Sequence, residues 1–217
     1  MLLDFLFPNR CANCMAIIDG RAIICQSCYP QIDFTHFQLD DGNILYQKSK
    51  LSFPLEYAAS LMYFDKEGLS QKILHQLKYG QRESIGEALA KWTVDKINYK
   101  KDFKFDLITT VPLHSKKQKK RGYNQLYKFG NYISASWNIP IDHNLLKRNT
   151  SGKSQASKRK SERQTSGSQF SLVKEIQQQH ILILDDVFTT GNTMNSVAWE
   201  LLKSGNNKVS ILVMAMD

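Results

Sequence analysis

The sequence predicts an α/β domain, a parallel sheet flanked by helices, with a small metal-binding segment at its N-terminus. Uninterrupted apolar runs alternate with segments of helical periodicity, as in Ile181-Leu182-Ile183-Leu184 followed by a helical stretch from about Asn192. That alternation marks strands buried on both faces and joined by helices. One such strand ends in two carboxylates and a run of small hydroxyl residues. All four cysteines fall before residue 30.

The cysteines come first. Cys11 and Cys14 form one C-x2-C pair, and Cys25 and Cys28 form a second, ten residues on. A two-residue gap lets both sulfurs of a pair face one ion, and two such knuckles supply the four ligands of tetrahedral Zn2+. The stretch between them is expected to make a short hairpin around Asp19-Gly20. A redox pair would not need the second C-x2-C, and paired disulfides need an oxidising compartment. Such a site is closed and structural, because all four positions are thiolates.

Residues 31–56 carry weak signals and read as a connector. Tyr57–Phe64 reads as a strand. Leu69, Ile73, Leu74 and Leu77 sit at helical spacing and predict a helix over Glu67–Lys78. Ile85, Leu89 and Trp92 predict a second helix, running toward Tyr99. Phe105–Val111 reads as a buried strand that stops at Pro112, and Leu126, Phe129, Ile133 and Trp137 mark a third helix. Ile139–Leu146 reads as another short strand. Residues 147–169 are rich in Ser, Lys, Arg and Gln, with Ala156 as the only apolar residue, and predict a long mobile loop. After the His180–Leu184 strand and the Asn192–Ser204 helix, Val209–Met214 closes the sheet.

The chain has 217 residues, 42% hydrophobic, which suits one domain with an ordinary core plus an appendage. No apolar run approaches the roughly 18–20 residues of a membrane span, which excludes an integral membrane protein. Met1–Pro8 is apolar but lacks a basic start and is interrupted by Asp4, so a secretory leader is not expected and a cytoplasmic location is. The net charge of +9 is concentrated. Lys116, Lys117, Lys119, Lys120 and Arg121 form one cluster; Lys147, Arg148, Lys153, Lys158, Arg159, Lys160 and Arg163 form another, offset by Glu162, and the rest of the chain stands at −2. Two basic segments on a near-neutral chain point to a polyanion partner, whether nucleotide phosphates, nucleic acid or both.

The segment Ile181–Thr193 is the most informative. A buried strand delivers Asp185 and Asp186 to its C-terminal end, where open α/β sheets bind ligands. Thr189, Thr190, Gly191, Asn192 and Thr193 then enter a helix whose free N–H groups and hydroxyls suit a monophosphate. Carboxylates beside such a cradle suit a sugar phosphate, with the acids accepting from ribose hydroxyls. A Walker B strand also ends in Asp-Asp, but Gly152-Lys153-Ser154 has Lys147 where its P-loop partner needs the earlier glycine.

Ile181–Thr193 resembles the phosphoribosyl-pyrophosphate (PRPP) motif of type I phosphoribosyltransferases. With the cysteine motif, Leu77-Lys78-Tyr79-Gly80, Val111-Pro112-Leu113-His114 and Arg121-Gly122-Tyr123-Asn124-Gln125, nearly the whole chain resembles the ComF (competence protein F) family. Ser154-Gln155 with Arg163 is similar to that family's loop pattern, although Ser166 stands where the family usually has Asn.

The resemblance implies a type I phosphoribosyltransferase fold over residues 51–217, with the zinc segment and connector in 1–50 and the mobile basic loop at 147–169. It implies that Asp185 and Asp186 serve the ribose of PRPP and its Mg2+, and that Thr189–Thr193 hold the 5′-phosphate. Lys120, Arg121 and Gly122 would form the pyrophosphate loop, with cations and free N–H groups, and Gln155 and Arg163 would lie in the flexible loop. The implied role is handling single-stranded DNA during natural transformation, with uptake machinery at the inner membrane as a partner. The other reading is an active, Mg-dependent pentosyltransferase of nucleotide salvage or synthesis that releases pyrophosphate. No residue stands out as a catalytic base; His75 and His114 qualify by type only.

Overall fold

The computed structural model describes residues 8–20, 22–80, 82–99, 103–149 and 169–217, and only the backbone of Ser115, Lys116 and Lys120. Five parallel strands form one sheet in the order β1-β7-β6-β2-β3. They are β1 (Ala58–Tyr63), β2 (Leu107–Thr110), β3 (Ile141–Asp142), β6 (His180–Phe188) and β7 (Lys208–Met216). A two-stranded antiparallel ribbon, β4 (Leu146–Arg148) with β5 (Phe170–Leu172), stands beside it. The helices are α1 (Ile44–Lys50), α2 (Leu69–Tyr79), α3 (Ser84–Lys96), α4 (Ser115–Arg121), α5 (Leu126–Trp137) and α6 (Asn192–Leu202).

Burial explains why the strands lack polar alternation. All four residues of β2 are buried, and so is every residue of β7 after Lys208. β6 pairs with β7 from His180↔Lys208 to Phe188↔Met216, and with β2 from Leu107↔Ile181 to Thr110↔Leu184. β6 therefore lies in the middle of the sheet. Its polar residues Asp185 and Asp186 come toward its C-terminal end, beyond the reach of β2. α2 buries Leu69, Ile73, Leu74 and Leu77, and α5 buries Leu126, Phe129, Ile133 and Trp137, the helical stripes seen in the sequence.

Several elements differ from the sequence expectation. The connector contains α1, whose N-cap Asn43 accepts from the Tyr46 N–H. Asn43 also donates to the Ala58 carbonyl at 2.7 Å, so the cap is pinned to β1. Residues 33–43 run along the open edge of β1, with bridges Phe34↔Met62 and Asp40↔Ala58. The Ile139–Leu146 stretch is two strands in different sheets, because the Asp142 carboxylate accepts from the Asn144 N–H and turns the chain. Lys147 and Arg148, read as the start of a mobile loop, pair with Ser171 and Phe170. The basic cluster after β2 is helical rather than a loop. The Asp19-Gly20 hairpin is reduced to a turn with Gly20 at φ +63°, and the antiparallel bridge Arg10↔Ile17 closes the first cysteine knuckle instead. Gln155 and Arg163 lie outside the described residues, as does all of 150–168.

Candidate functional site at the C-terminal edge of the sheet

The loop after β6 is shaped by one glycine. Gly191 caps α6 with φ +74°, a conformation most side chains resist, and a Cβ there would lie 2.9 Å from the Phe188 ring. The Gly191 carbonyl accepts from the Asn195 N–H at 2.7 Å, closing the first turn of α6. Thr189, Thr190, Asn192 and Thr193 are thereby gathered with Asp185 around a small cleft of about 40 Å3. Its lining runs from Asp185 to Met194, on strand, turn and helix. The structure thus brings one acid and the whole hydroxyl loop into a single concavity of a size suited to a small anionic group.

Asp186 faces a different set of partners. Its Oδ1 lies 3.0 Å from Lys78 Nζ, and both side chains are largely buried. Its Oδ2 accepts from Gln125 Nε2 at 2.6 Å. Gln125 in turn accepts, through Oε1, from Arg121 Nη1 at 2.6 Å. Arg121 lies over the Tyr79 ring, 5.0 Å from its centroid, and Nη2 reaches the Tyr79 hydroxyl at 3.4 Å. The chain Lys78–Asp186–Gln125–Arg121 therefore joins the end of α2, the acid pair, the start of α5 and the end of α4. Arg121 Nε is buried without a partner, a donor left over at the rim of the site.

The acid pair is electrostatically unequal. Desolvation, then repulsion from Asp186, pushes the Asp185 carboxyl up to about 8, against the Asp186 N–H that it accepts at 2.8 Å and the charges of Lys78 and Arg148. A carboxyl so perturbed in a cleft is a physical marker of a binding or reaction site.

Of the residues expected to hold pyrophosphate, Arg121 is joined to the acids and Lys120 lies on the same helix end. Gly122 has φ +79°, but its N–H is not free: it donates to the Gln118 carbonyl at 2.8 Å and ends α4. His75 packs against Tyr79 with ring centroids 5.0 Å apart and planes tilted by 45°, and makes none of the acids' hydrogen bonds described above. Lys78, Tyr79 and Gln125 stand in the strings that carry the family resemblance, but nothing in the sequence gives them a role. Their part is visible only once α2, α4 and α5 meet at β6.

The four cysteines converge in the segment that packs alongside α2, where Gln76 Nε2 donates to the Ala12 carbonyl. Their sulfurs all lie within 4.8 Å of one another, with Cys14 and Cys25 at 3.7 Å, and none is in a disulfide. A tetrahedral ion with sulfur bonds of about 2.3 Å requires sulfur separations of about 3.8 Å. The thiols divide as expected for one shared charge site. Burial opposes ionisation of Cys11, but backbone N–H groups of Cys25, Cys14 and Asn13 outweigh it and draw Cys11 down to about 6. The Asn13 amide favours the Cys28 thiolate, but burial and the other three sulfurs outweigh it and push Cys28 up to about 12. Four convergent sulfurs at these separations fit a divalent thiophilic ion.

Fold and site together define a phosphoribosyltransferase-fold protein with an N-terminal zinc-ribbon segment. Residues 142–217 match the phosphoribosyl transferase domain, and residues 2–38 match the double zinc ribbon domain. The chain is a homologue of competence protein F and of DNA utilization protein YhgH, in keeping with its resemblance to the ComF family. It is 26% identical to DNA utilization protein YhgH of Salmonella typhimurium over 209 residues, covering 93% of this chain and 87% of the relative. The Escherichia coli protein of the same name is 26% identical over 210 residues, with the same coverage. Competence protein F of Haemophilus influenzae is 32% identical over 110 residues, covering 49% of this chain and 48% of that one. No helix among the described residues is long and apolar enough to cross a membrane.

Proposed function

We propose that this protein binds PRPP with Mg2+ at the C-terminal edge of the sheet and handles single-stranded DNA during DNA uptake, in the cytoplasm, on a scaffold held by a structural Zn2+. One observation carries the ligand reading: Asp185 and the Thr189–Thr193 turn share one small cleft, and the adjacent Asp186 is wired through Gln125 to Arg121. In this reading Thr189, Thr190, Gly191, Asn192 and Thr193 take the 5′-phosphate. Asp185 and Asp186 accept from the ribose hydroxyls. Arg121, with Lys120 beside it, faces the pyrophosphate, which supplies the acceptor that Arg121 Nε lacks. Gln155 and Arg163, on the segment between β4 and β5, are assigned to the same end. Arg148, at the base of that segment, is near enough for its charge to oppose, weakly, the rise of the Asp185 carboxyl.

Mg2+ would neutralise the pyrophosphate oxygens, held by Asp185, Asp186 and the ligand, since it takes oxygen ligands and keeps several waters. Lys78 and Gln125 fix the Asp186 carboxylate, and Tyr79 carries the Arg121 guanidinium. The names of the homologues support the DNA role, and the two basic segments supply the charge it needs. Cys11, Cys14, Cys25 and Cys28 hold the zinc.

Calorimetry with PRPP and Mg2+ tests the ligand reading. Binding is expected for the wild type and lost in the Asp185→Ala, Asp186→Ala variant; equal heats from both proteins would overturn it. Single-stranded DNA should bind at low salt, with log K falling against log salt by about 0.7 per phosphate neutralised; no binding at low salt would remove the DNA role. Pyrophosphate release from PRPP upon adding a defined acceptor would instead make the protein a working transferase.

A further inference from the structure

Helix α2 ends at the acid pair, and the cysteine ribbon grips it along successive turns from Lys72 to just past its C-terminal end. Lys72 Nζ donates to Asn13 Oδ1 at 2.9 Å, and Asn13 Nδ2 lies 3.5 Å from Cys28 Sγ. One turn later Gln76 Nε2 donates to the Ala12 carbonyl at 3.0 Å. Arg82, just past the helix, closes the clamp. Its Nη1 donates to Gln76 Oε1 at 2.7 Å and to the Arg10 carbonyl at 2.9 Å, and its Nη2 to Asn9 Oδ1 at 2.6 Å. Asn9, Arg10, Ala12 and Asn13 all belong to the first cysteine knuckle and its approach. Two residues beyond Gln76, Lys78 makes the ion pair with Asp186.

We propose that the ribbon is a brace for the phosphate site: Gln76 and Arg82 lock the first knuckle to α2 and so hold Lys78 against Asp186. Lysine has a long, flexible side chain whose immobilisation is costly, so a fixed ion pair needs a fixed helix end beneath it. Apolar packing of Leu74 and Leu77 sets the depth of that end, but few polar contacts fix its position along the sheet edge. Gly80 closes it through one N–H to the Gln76 carbonyl, and Tyr123 through a hydroxyl donated to the Leu77 carbonyl. The knuckle is a firm anchor because its sulfurs are set around a common centre. Over the six residues from Lys72 to Lys78 the helix rises only about 9 Å, a distance across which it moves as a rod. Gln76 and Arg82 are thus positioning residues that act through Lys78 without touching a ligand.

This proposal rests on the PRPP reading for its affinity measurement, but not for its structural one. The protein to test is the full chain carrying Gln76→Ala and Arg82→Gln. It is expected to keep one zinc per chain by metal analysis and to bind PRPP with Mg2+ about 5–10-fold more weakly, the loss of one to two hydrogen bonds' worth of placement. Gln76→Ala alone, which leaves the Arg82 bonds to Asn9 and Arg10, serves where the double variant does not fold, with a loss of about 2–3-fold. Lys78→Ala should weaken binding by itself, and adding the clamp changes to it should weaken binding no further. Additive losses would show that the clamp acts elsewhere, and undiminished binding with zinc retained would overturn the brace. A wild type that binds no PRPP overturns the functional reading instead. In that event amide exchange still tests the brace: zinc extraction should speed exchange at Leu77–Gly80, and unchanged rates there would end it.

Discussion

Asp185 should be a residue that the fold tolerates at a cost. Its carboxyl is raised from the ordinary 3.8 to about 8, first by desolvation and then by Asp186. Between these two values the native chain keeps a proton that the unfolded chain has released. Stability from this group is therefore full below pH 4 and is lost as pH rises through 8. Four units at about 1.4 kcal/mol each set a ceiling of roughly 6 kcal/mol. Relaxation of the cleft keeps the gain well below that ceiling, on the order of 1–2 kcal/mol, the scale of a single stabilising substitution. Asp185→Asn keeps an oxygen to accept from the Asp186 N–H and removes the charge. Urea unfolding of both proteins at pH 4, 6 and 8 should give equal stabilities at pH 4 and a gap in favour of the variant that widens to pH 8, while its affinity for PRPP with Mg2+ falls. A variant equal to or weaker than wild type at pH 8 would refute the reasoning, because it would mean the carboxylate is not penalised in the fold.

Other substitutions follow from local geometry. Gly191→Ala forces a side chain into φ +74° and against the Phe188 ring; it should cost about 1–2 kcal/mol and lower the thermal midpoint by a few degrees, read by scanning calorimetry, with weakened phosphate binding. Cys14→Ser or Cys25→Ser should reduce zinc below one per chain by elemental analysis, and excess chelator should lower the wild-type midpoint toward that of the variants. Asn43→Ala removes both the α1 cap and a buried bond to Ala58, so a loss of about 2 kcal/mol in chemical unfolding is expected.

The sequence made β6, its acids and the turn after it plain, because all the required features lie within thirteen consecutive residues. The stripes of α2 and α5 were equally legible, being long enough for a helical period to show. Helix α1 was not, because seven residues give barely two turns and its fixing comes from Asn43 reaching β1. The wiring of Asp186 was hidden for a different reason. Lys78 and Gln125 are 108 and 61 residues away in sequence, and their identities are those of any surface helix. Only the packing of α2 and α5 around the end of β6 makes them neighbours. The helical form of the basic cluster was masked by its lack of apolar residues to set a period.

The strip of chain along the outer edge of β1 has a consequence for anyone trimming this protein. A parallel sheet's outer strand presents a row of unpaired N–H and carbonyl groups, a template for another chain. Here Ala58 N–H is taken by Asp40, Leu61 carbonyl by Thr35 N–H, and Tyr63 N–H by the Asp33 carbonyl. At the opposite edge β3 is only two residues long, too short to recruit a partner. Cutting away the cysteine segment together with residues 31–43 would thus uncover the edge of a six-residue, mostly apolar strand, and the fragment would be expected to aggregate through its backbone even if its own core were intact.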